Sequence, residues 1–298
     1  MTTIAFIGLG NMGAGMAANQ AKASHDVRAF DLSPTALERA RAAGCTPQAS
    51  AAEAVREADV VLTMLPAGPH VREVYANQVA PNAKTSALLI DCSTIDVESA
   101  RAVSAHMKEK GFRFADAPVS GGTAAAEAGS LAFMVGCAEA DFPAIEAALA
   151  PMSRITLRAG EAGAGQAAKI CNNMVLGVSM LAVCEGFALA EKLGLDAERF
   201  FEIASKSSGQ CWSLTSYCPW PGVGPQTASD RAYEGGFATA MMLKDLKLAQ
   251  DAAAKTGAAA PMGAQAEALY ALFERMGHGG KDFSAVQQWL RGNLASLT

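Results

Sequence analysis

The sequence predicts an α/β Rossmann-type doubly wound sheet followed by an all-α C-terminal domain, joined by a long helix. Three observations carry this. Short apolar runs alternate with helical stretches through the first half of the chain, a glycine-rich turn closes the first run, and after residue 163 only helical periodicity remains. The expected domains are 1–163, which would bind a dinucleotide, and 164–298, which would hold substrate and make oligomer contacts.

The first run, Ile4 to Ile7, ends in Gly8-Leu9-Gly10-Asn11-Met12-Gly13, and Ala14 to Ala23 then reads as a helix rich in Ala and Met. Strand, G-x-G-x-x-G and helix form a phosphate cradle: a tight turn, a close backbone approach to a pyrophosphate, and close helix–strand packing. Helix-terminal N–H groups would hold the phosphates. A second strand, His25 to Asp31, places an acid 18 residues past Gly13 and 21 past Gly10. A carboxylate at that distance bonds the adenosine ribose and repels a 2′-phosphate, so NAD is favoured over NADP. Leu32, Ser33 and Pro34 offer no arginine for such a phosphate. Ser33 suits the cap of the next helix, with Pro34 at its first position.

Further strands are expected at Asp59 to Met64, Leu88 to Asp91, Phe112 to Asp116, Leu131 to Val135 and Arg154 to Leu157, with helices near 34–43, 96–110 and 141–150. Ligands of such sheets sit beyond the carboxyl ends of the strands, which places Leu65-Pro66 and Ser93-Thr94 along a cofactor groove. Helices are expected near 164–193, 196–206, 238–256, 261–277 and 284–293. An irregular segment, 208–236, holds two of the three tryptophans, Trp212 and Trp220. Loops this long without structure of their own are usually functional or disordered, and aromatic content argues against disorder.

Lys169 and Asn173 stand four residues apart, on one face of the helix that opens after Gly163-Ala164-Gly165-Gln166. An ammonium and a carboxamide so placed can grip one small oxygen atom. The helix continues almost wholly apolar, so the lysine would be half-buried and its proton affinity open to tuning. A structural lysine snorkelling from a core helix is the plainer alternative. Ser120-Gly121-Gly122 offers a hydroxyl and turned backbone N–H groups suited to an anion. Trp212 would either wall a pocket or belong to the helical core.

Composition excludes other classes. The chain has 298 residues, is 51% hydrophobic, and carries 24 basic against 29 acidic residues, a net charge of −5. That is enough to bury a large core, and no basic stripe suggests nucleic acid. Seven cysteines form no C-x-x-C pair and read as reduced thiols of a cytoplasmic protein. Four scattered histidines show no metal-ligand spacing, so no metal is expected. The first residues read directly into a strand, so no leader peptide is expected. The apolar stretch Asn173 to Ala190 contains Ser179, Glu185 and two glycines, and reads as a buried helix rather than a membrane span.

Four blocks together resemble the β-hydroxyacid dehydrogenase family over essentially the whole chain. They are Gly8 to Gly13, Asp116 to Gly122, Gly163 to Asn173, and Lys244-Asp245-Leu246-Lys247-Leu248-Ala249. Gly209 to Ser213, Tyr217, Pro219 to Val223 and Tyr233 to Phe237 point to the branch acting on 3-hydroxyisobutyrate. The resemblance implies NAD-dependent oxidation of that acid, with Lys169 catalytic and Asn173 orienting substrate beside it. It implies that Ser120, Gly121 and Gly122 bind the substrate carboxylate. Leu65, Pro66 and Thr94 would contact the nicotinamide half, and Lys244 would close over the cofactor. Lys247 departs from the family's small residue and is expected to face solvent. A homodimer or homotetramer is implied, with a small hydroxy acid as the other partner. Alternatives are reduction of tartronate semialdehyde or oxidation of another short 3-hydroxy acid. A 6-phosphogluconate-type enzyme would need a basic cluster not found here, imine reductases lack the lysine, and a non-catalytic NAD sensor needs neither Lys169 nor Asn173.

Overall fold

Central parallel strands are buried on both faces, which is why they read as continuous apolar runs. The computed structural model describes residues 2–297. It separates into two compact units, Met1–Lys169 and Ile170–Thr298.

In chain order the first unit contains β1 (Thr3–Ile7), α1 (Gly13–Lys22), β2 (Asp26–Phe30), α2 (Pro34–Ala42), β3 (Thr46–Pro47), α3 (Ala51–Val55), β4 (Val60–Thr63) and α4 (Gly68–Val74). Next come β5 (Leu88–Asp91), α5 (Val97–Glu109), β6 (Arg113–Asp116), β7 (Val119–Ser120), α6 (Gly122–Ala128), β8 (Leu131–Gly136), α7 (Phe142–Leu149) and β9 (Ser153–Gly160). The sheet order is β3-β2-β1-β4-β5-β6-β8-β7, with β9 paired to β8. Strands β1 to β6 pair in parallel, β8 runs antiparallel to β6 and β7, and β9 is parallel to β8.

Register explains the two-sided core. Phe6, Leu62 and Ile90 align across β1, β4 and β5 and pack with Met16 on one face. Their neighbours Ala5, Val61 and Leu89 pack with Val71 and Tyr75 on the other. Ser33 caps α2 by accepting from the Ala36 amide, with Pro34 in the first turn, as its sequence predicts. Helices α3 and α6 and strands β3 and β7 are too short for periodicity to show, and α4 opens on Gly68-Pro69, which reads as a turn.

In order, the remaining helices are α8 (Ala164–Lys192), α9 (Ala197–Ala204), α10 (Trp212–Thr215), α11 (Thr239–Thr256), α12 (Pro261–Phe273) and α13 (Val286–Leu290). The helix expected to reach 277 stops at Phe273, and a π turn follows in which Gly277 takes φ +94°. The helix expected over 284–293 is α-helical only at Val286–Leu290. The division between these compact units falls within α8, whose first turns are held by side chains of the sheet unit. By length and apolarity α8 could cross a membrane. Its Met180, Leu181 and Cys184 instead pack with Met242 and Leu246 of α11 and Tyr270 of α12. Val183 and Phe187 pack with Leu214, Phe200 and Trp220.

The 208–236 segment is ordered by its own contacts. Trp212 stacks on Tyr217 at 5.1 Å, Trp220 stacks on Phe187 at 5.4 Å, and the Tyr233 hydroxyl donates to the Pro219 carbonyl at 2.8 Å.

Candidate active site

The glycines at the end of β1 have distinct surroundings. Gly8 has φ +95°, and a Cβ there would run into the Met64 carbonyl. A Cβ at Gly13 would strike the Gly8 carbonyl, so α1 can approach β1 only without it. At Gly10 no atom of the chain lies within 4 Å of a Cβ position. Asn11 is exposed and Met12 half-buried, and no side chain caps the start of α1. The Ala14 amide donates to the Gly10 carbonyl at 3.1 Å, and the open space at Gly10 beside this uncapped helix start suits a pyrophosphate.

Asp31 follows β2 and ties two backbones together. Its Oδ2 accepts from the Leu9 amide at 2.7 Å and its Oδ1 from the Ser33 amide at 2.8 Å. The carboxylate is thus fixed beside the glycine loop and is not the cap of α2. Leu32 next to it is 91% exposed.

Leu65 and Thr94 follow β4 and β5 and are half-buried, while Pro66 is exposed. Ser93 joins the two loops: its Oγ accepts from the Leu65 amide at 2.8 Å and donates to Asp91 Oδ1 at 2.5 Å. Asp91 Oδ1 also accepts from Thr63 Oγ1 at 2.7 Å. Burial pushes the Asp91 carboxyl up to about 6, against the Ser93 and Thr63 bonds that lower it.

Gly121 and Gly122 take φ +136° and +71° at the start of α6, and no side chain caps that helix. Nothing lies within 4 Å of a Cβ position at Gly122. Ser120 is half-buried at the end of β7. Two turned glycines at an uncapped helix start present backbone donors.

Lys169 lies on α8 and is 6% exposed. The helix start that carries it is bound to the sheet unit by two buried side chains. Asp116 Oδ1 accepts from the Gly163 amide at 2.6 Å and its Oδ2 from the Gln166 amide at 2.9 Å. Gln166 Nε2 donates to the Ser93 carbonyl at 2.7 Å, and its Oε1 accepts from the Ile95 amide at 3.1 Å. Burial raises the Asp116 carboxyl, and the Gly163 and Gln166 amides oppose that rise.

In the helical unit, Asn173 is buried, and its Nδ2 donates to Asp245 Oδ2 at 2.5 Å while its Oδ1 accepts from Asn172 at 3.0 Å. One amide proton of Asn173 is therefore committed to Asp245, which orients the group and leaves the other. Lys244 is half-buried on α11, and Lys247 is exposed. Trp212 is 52% exposed, so it is not a core residue. Sequence reasoning passed over Asp91, Asp116, Gln166 and Asp245 as site residues. Asp116 and Gln166 stand inside quoted blocks, and Asp245 directly follows Lys244, which was the available signal. No cluster of His, Cys, Asp or Glu able to hold a metal occurs among the described residues.

Fold and site define a dinucleotide-binding oxidoreductase with a helical second unit. Residues 3–163 match the family described as the NAD binding domain of 6-phosphogluconate dehydrogenase. Residues 163–290 match that described as NAD-binding of NADP-dependent 3-hydroxyisobutyrate dehydrogenase. A probable 3-hydroxyisobutyrate dehydrogenase of Mycobacterium bovis is 50% identical over 98% of both chains. An NAD-dependent L-serine dehydrogenase of Pseudomonas aeruginosa is 45% identical over 97% of both. A solved structure of 3-hydroxyisobutyrate dehydrogenase from Mycobacterium tuberculosis with L-serine superposes with a TM-score of 0.94, at 50% identity over 98% of this chain and 99% of that one. The chain belongs to the 3-hydroxyisobutyrate dehydrogenase family and is an NAD-dependent hydroxyacid dehydrogenase.

Proposed function

We propose that the chain oxidises 3-hydroxyisobutyrate to methylmalonate semialdehyde, a step of valine degradation, in the cytoplasm. The observation that carries the reading is a buried ammonium, Lys169, one helical turn before a buried amide, Asn173, that Asp245 orients. When bound, NAD supplies the acceptor for hydride. The chain's task is the hydroxyl proton. Lys169 stabilises the developing alkoxide as a cation or takes the proton as an amine. Asn173 donates its remaining amide proton to the same oxygen and fixes its direction. Ser120, Gly121 and Gly122 anchor the substrate carboxylate, Trp212 walls the pocket, and Lys244 holds the cofactor. Gly8, Gly10, Asn11, Met12 and Gly13 cradle the pyrophosphate, with Asp31 on the ribose and Leu65, Pro66 and Thr94 along the nicotinamide half. Seven free cysteines fit a reducing compartment.

L-Serine is the second reading, favoured by the relative named for it and by the solved structure that contains it. Serine is also a short 3-hydroxy acid, so the same groups would serve. Reduced-nicotinamide absorbance with NAD and a panel of 3-hydroxyisobutyrate, serine, glycerate and 3-hydroxypropionate separates the readings, the highest kcat/KM naming the substrate. Lys169→Ala should lower kcat by roughly 10²–10⁴ while NAD still binds. Turnover near that of the wild type in this variant would remove Lys169 from the chemistry.

A further inference from the structure

We infer that Asp116 is a positioning residue for the dehydrogenase reaction: its carboxylate seats the N-terminus of α8 on strand β6 and so sets where Lys169 stands. This rests on the reading of Lys169 as proton partner. Asp116 is fully buried between Ala115 and Ala117, in a strand that otherwise carries apolar side chains inward. A buried carboxylate is costly unless donors surround it. Both of its oxygens accept from the start of α8, at Gly163 and Gln166. These are amides that no intrahelical carbonyl can reach, and a helix N-terminus favours an anion. The anion here comes from 47 residues earlier in the chain.

Close approach is built in. A Cβ at Gly165 would run into the Met134 carbonyl and lie 2.8 Å from Asp116 Oδ2. Gln166 adds a second fastening, to the Ser93 carbonyl and the Ile95 amide on either side of Thr94. Lys169 follows three residues later on the same helix. Its ammonium therefore inherits its place from these bonds, and small displacements of a reacting group can cost about 10²-fold in rate.

Asp116→Asn keeps the shape but turns one acceptor into a donor that faces a backbone N–H, so the first turn of α8 must shift. The expected result is a kcat lower by about tenfold or more, with KM for the hydroxy acid, the dissociation constant for NAD and the melting temperature near those of the wild type. An unchanged kcat, or a fall in melting temperature with loss of NAD binding, overturns the inference in favour of no role or of a scaffold role. Hydrogen exchange on the wild type keeps the test open if the variant does not fold. The Gly163 and Gln166 amides should be protected as strongly as Leu89 in the central sheet, and exchange at surface-loop rates overturns the seating. Failure of the Lys169 reading appears separately, as turnover retained in Lys169→Ala while these amides remain protected.

Discussion

Asp91 is held by one oxygen and left bare at the other. Its Oδ1 accepts from Thr63 and from both the amide and hydroxyl of Ser93, while Oδ2 is buried without a partner. Burial is the first cause of its raised pKa, about 6 against an ordinary 3.8, and Asp116, its register partner on β6, raises it further. The native state thus binds this proton more tightly than the unfolded chain does. Its contribution to stability is complete below the unfolded value and is lost as pH rises through about 6. A pKa rise of that size corresponds to roughly 3 kcal/mol. Asp91→Asn has no proton to lose and sets an amide where the bare oxygen stood. Urea unfolding of both proteins should show the stability difference moving against the wild type by about 1–3 kcal/mol between about pH 4 and pH 7. A difference independent of pH would contradict this. At the same scale, two backbone bonds fix the Asp31 carboxylate in place, the position proposed above to meet the ribose.

At the scale of elements, the turn from β1 to α1 separates two duties that the glycine pattern runs together. Gly13→Ala forces α1 away from β1 and should cost roughly 1–3 kcal/mol in unfolding free energy, as overpacking does. Gly10→Ala meets no atom of the chain, so its stability should stay close to that of the wild type while NAD affinity falls about tenfold or more. Thermal melts and NAD titration of the two variants check this, and similar loss of stability in both would refute it. This turn was legible in the sequence because its glycines are adjacent and their order carries the geometry. The long α8 was legible by its apolar length. The pairing of Asp116 with the start of α8 was not, because 47 residues separate them and no local pattern links a strand end to a distant helix cap. The helix begins just after residue 163, and Asp116 and Gln166 bind its first turns to the sheet unit. Short pieces such as α3 and β7 span too few residues for periodicity to show, though α3 carries a local cap in which Ser50 accepts from the Glu53 amide at 3.1 Å.

For the molecule as a whole, the helical unit leaves apolar surface that its own chain does not cover. On α8, Val175 is 64% and Leu189 60% exposed, with Ala182 midway, so all three recur at intervals of seven on one helix face. That spacing is the seam of one helix packed along another. Leu193 and Ile203 of the same unit are also exposed, at 75% and 59%. A cavity of about 430 Å³, lined by Ala182, Val183, Phe200 and Leu214, opens beside the α8 face. Exposed apolar surface of this kind marks an interaction site, and a second copy of the chain would supply the matching face by symmetry. The protein should therefore sediment at two or four times its protomer mass at micromolar concentration. Leu189→Glu, which sets a charge in the seam, should move the distribution toward monomer, and the NAD site of the sheet unit should still bind nucleotide. Sedimentation velocity of the wild type and the variant decides it: a monomeric wild type, or an assembly indifferent to the charge, would mean that this face is not where copies meet.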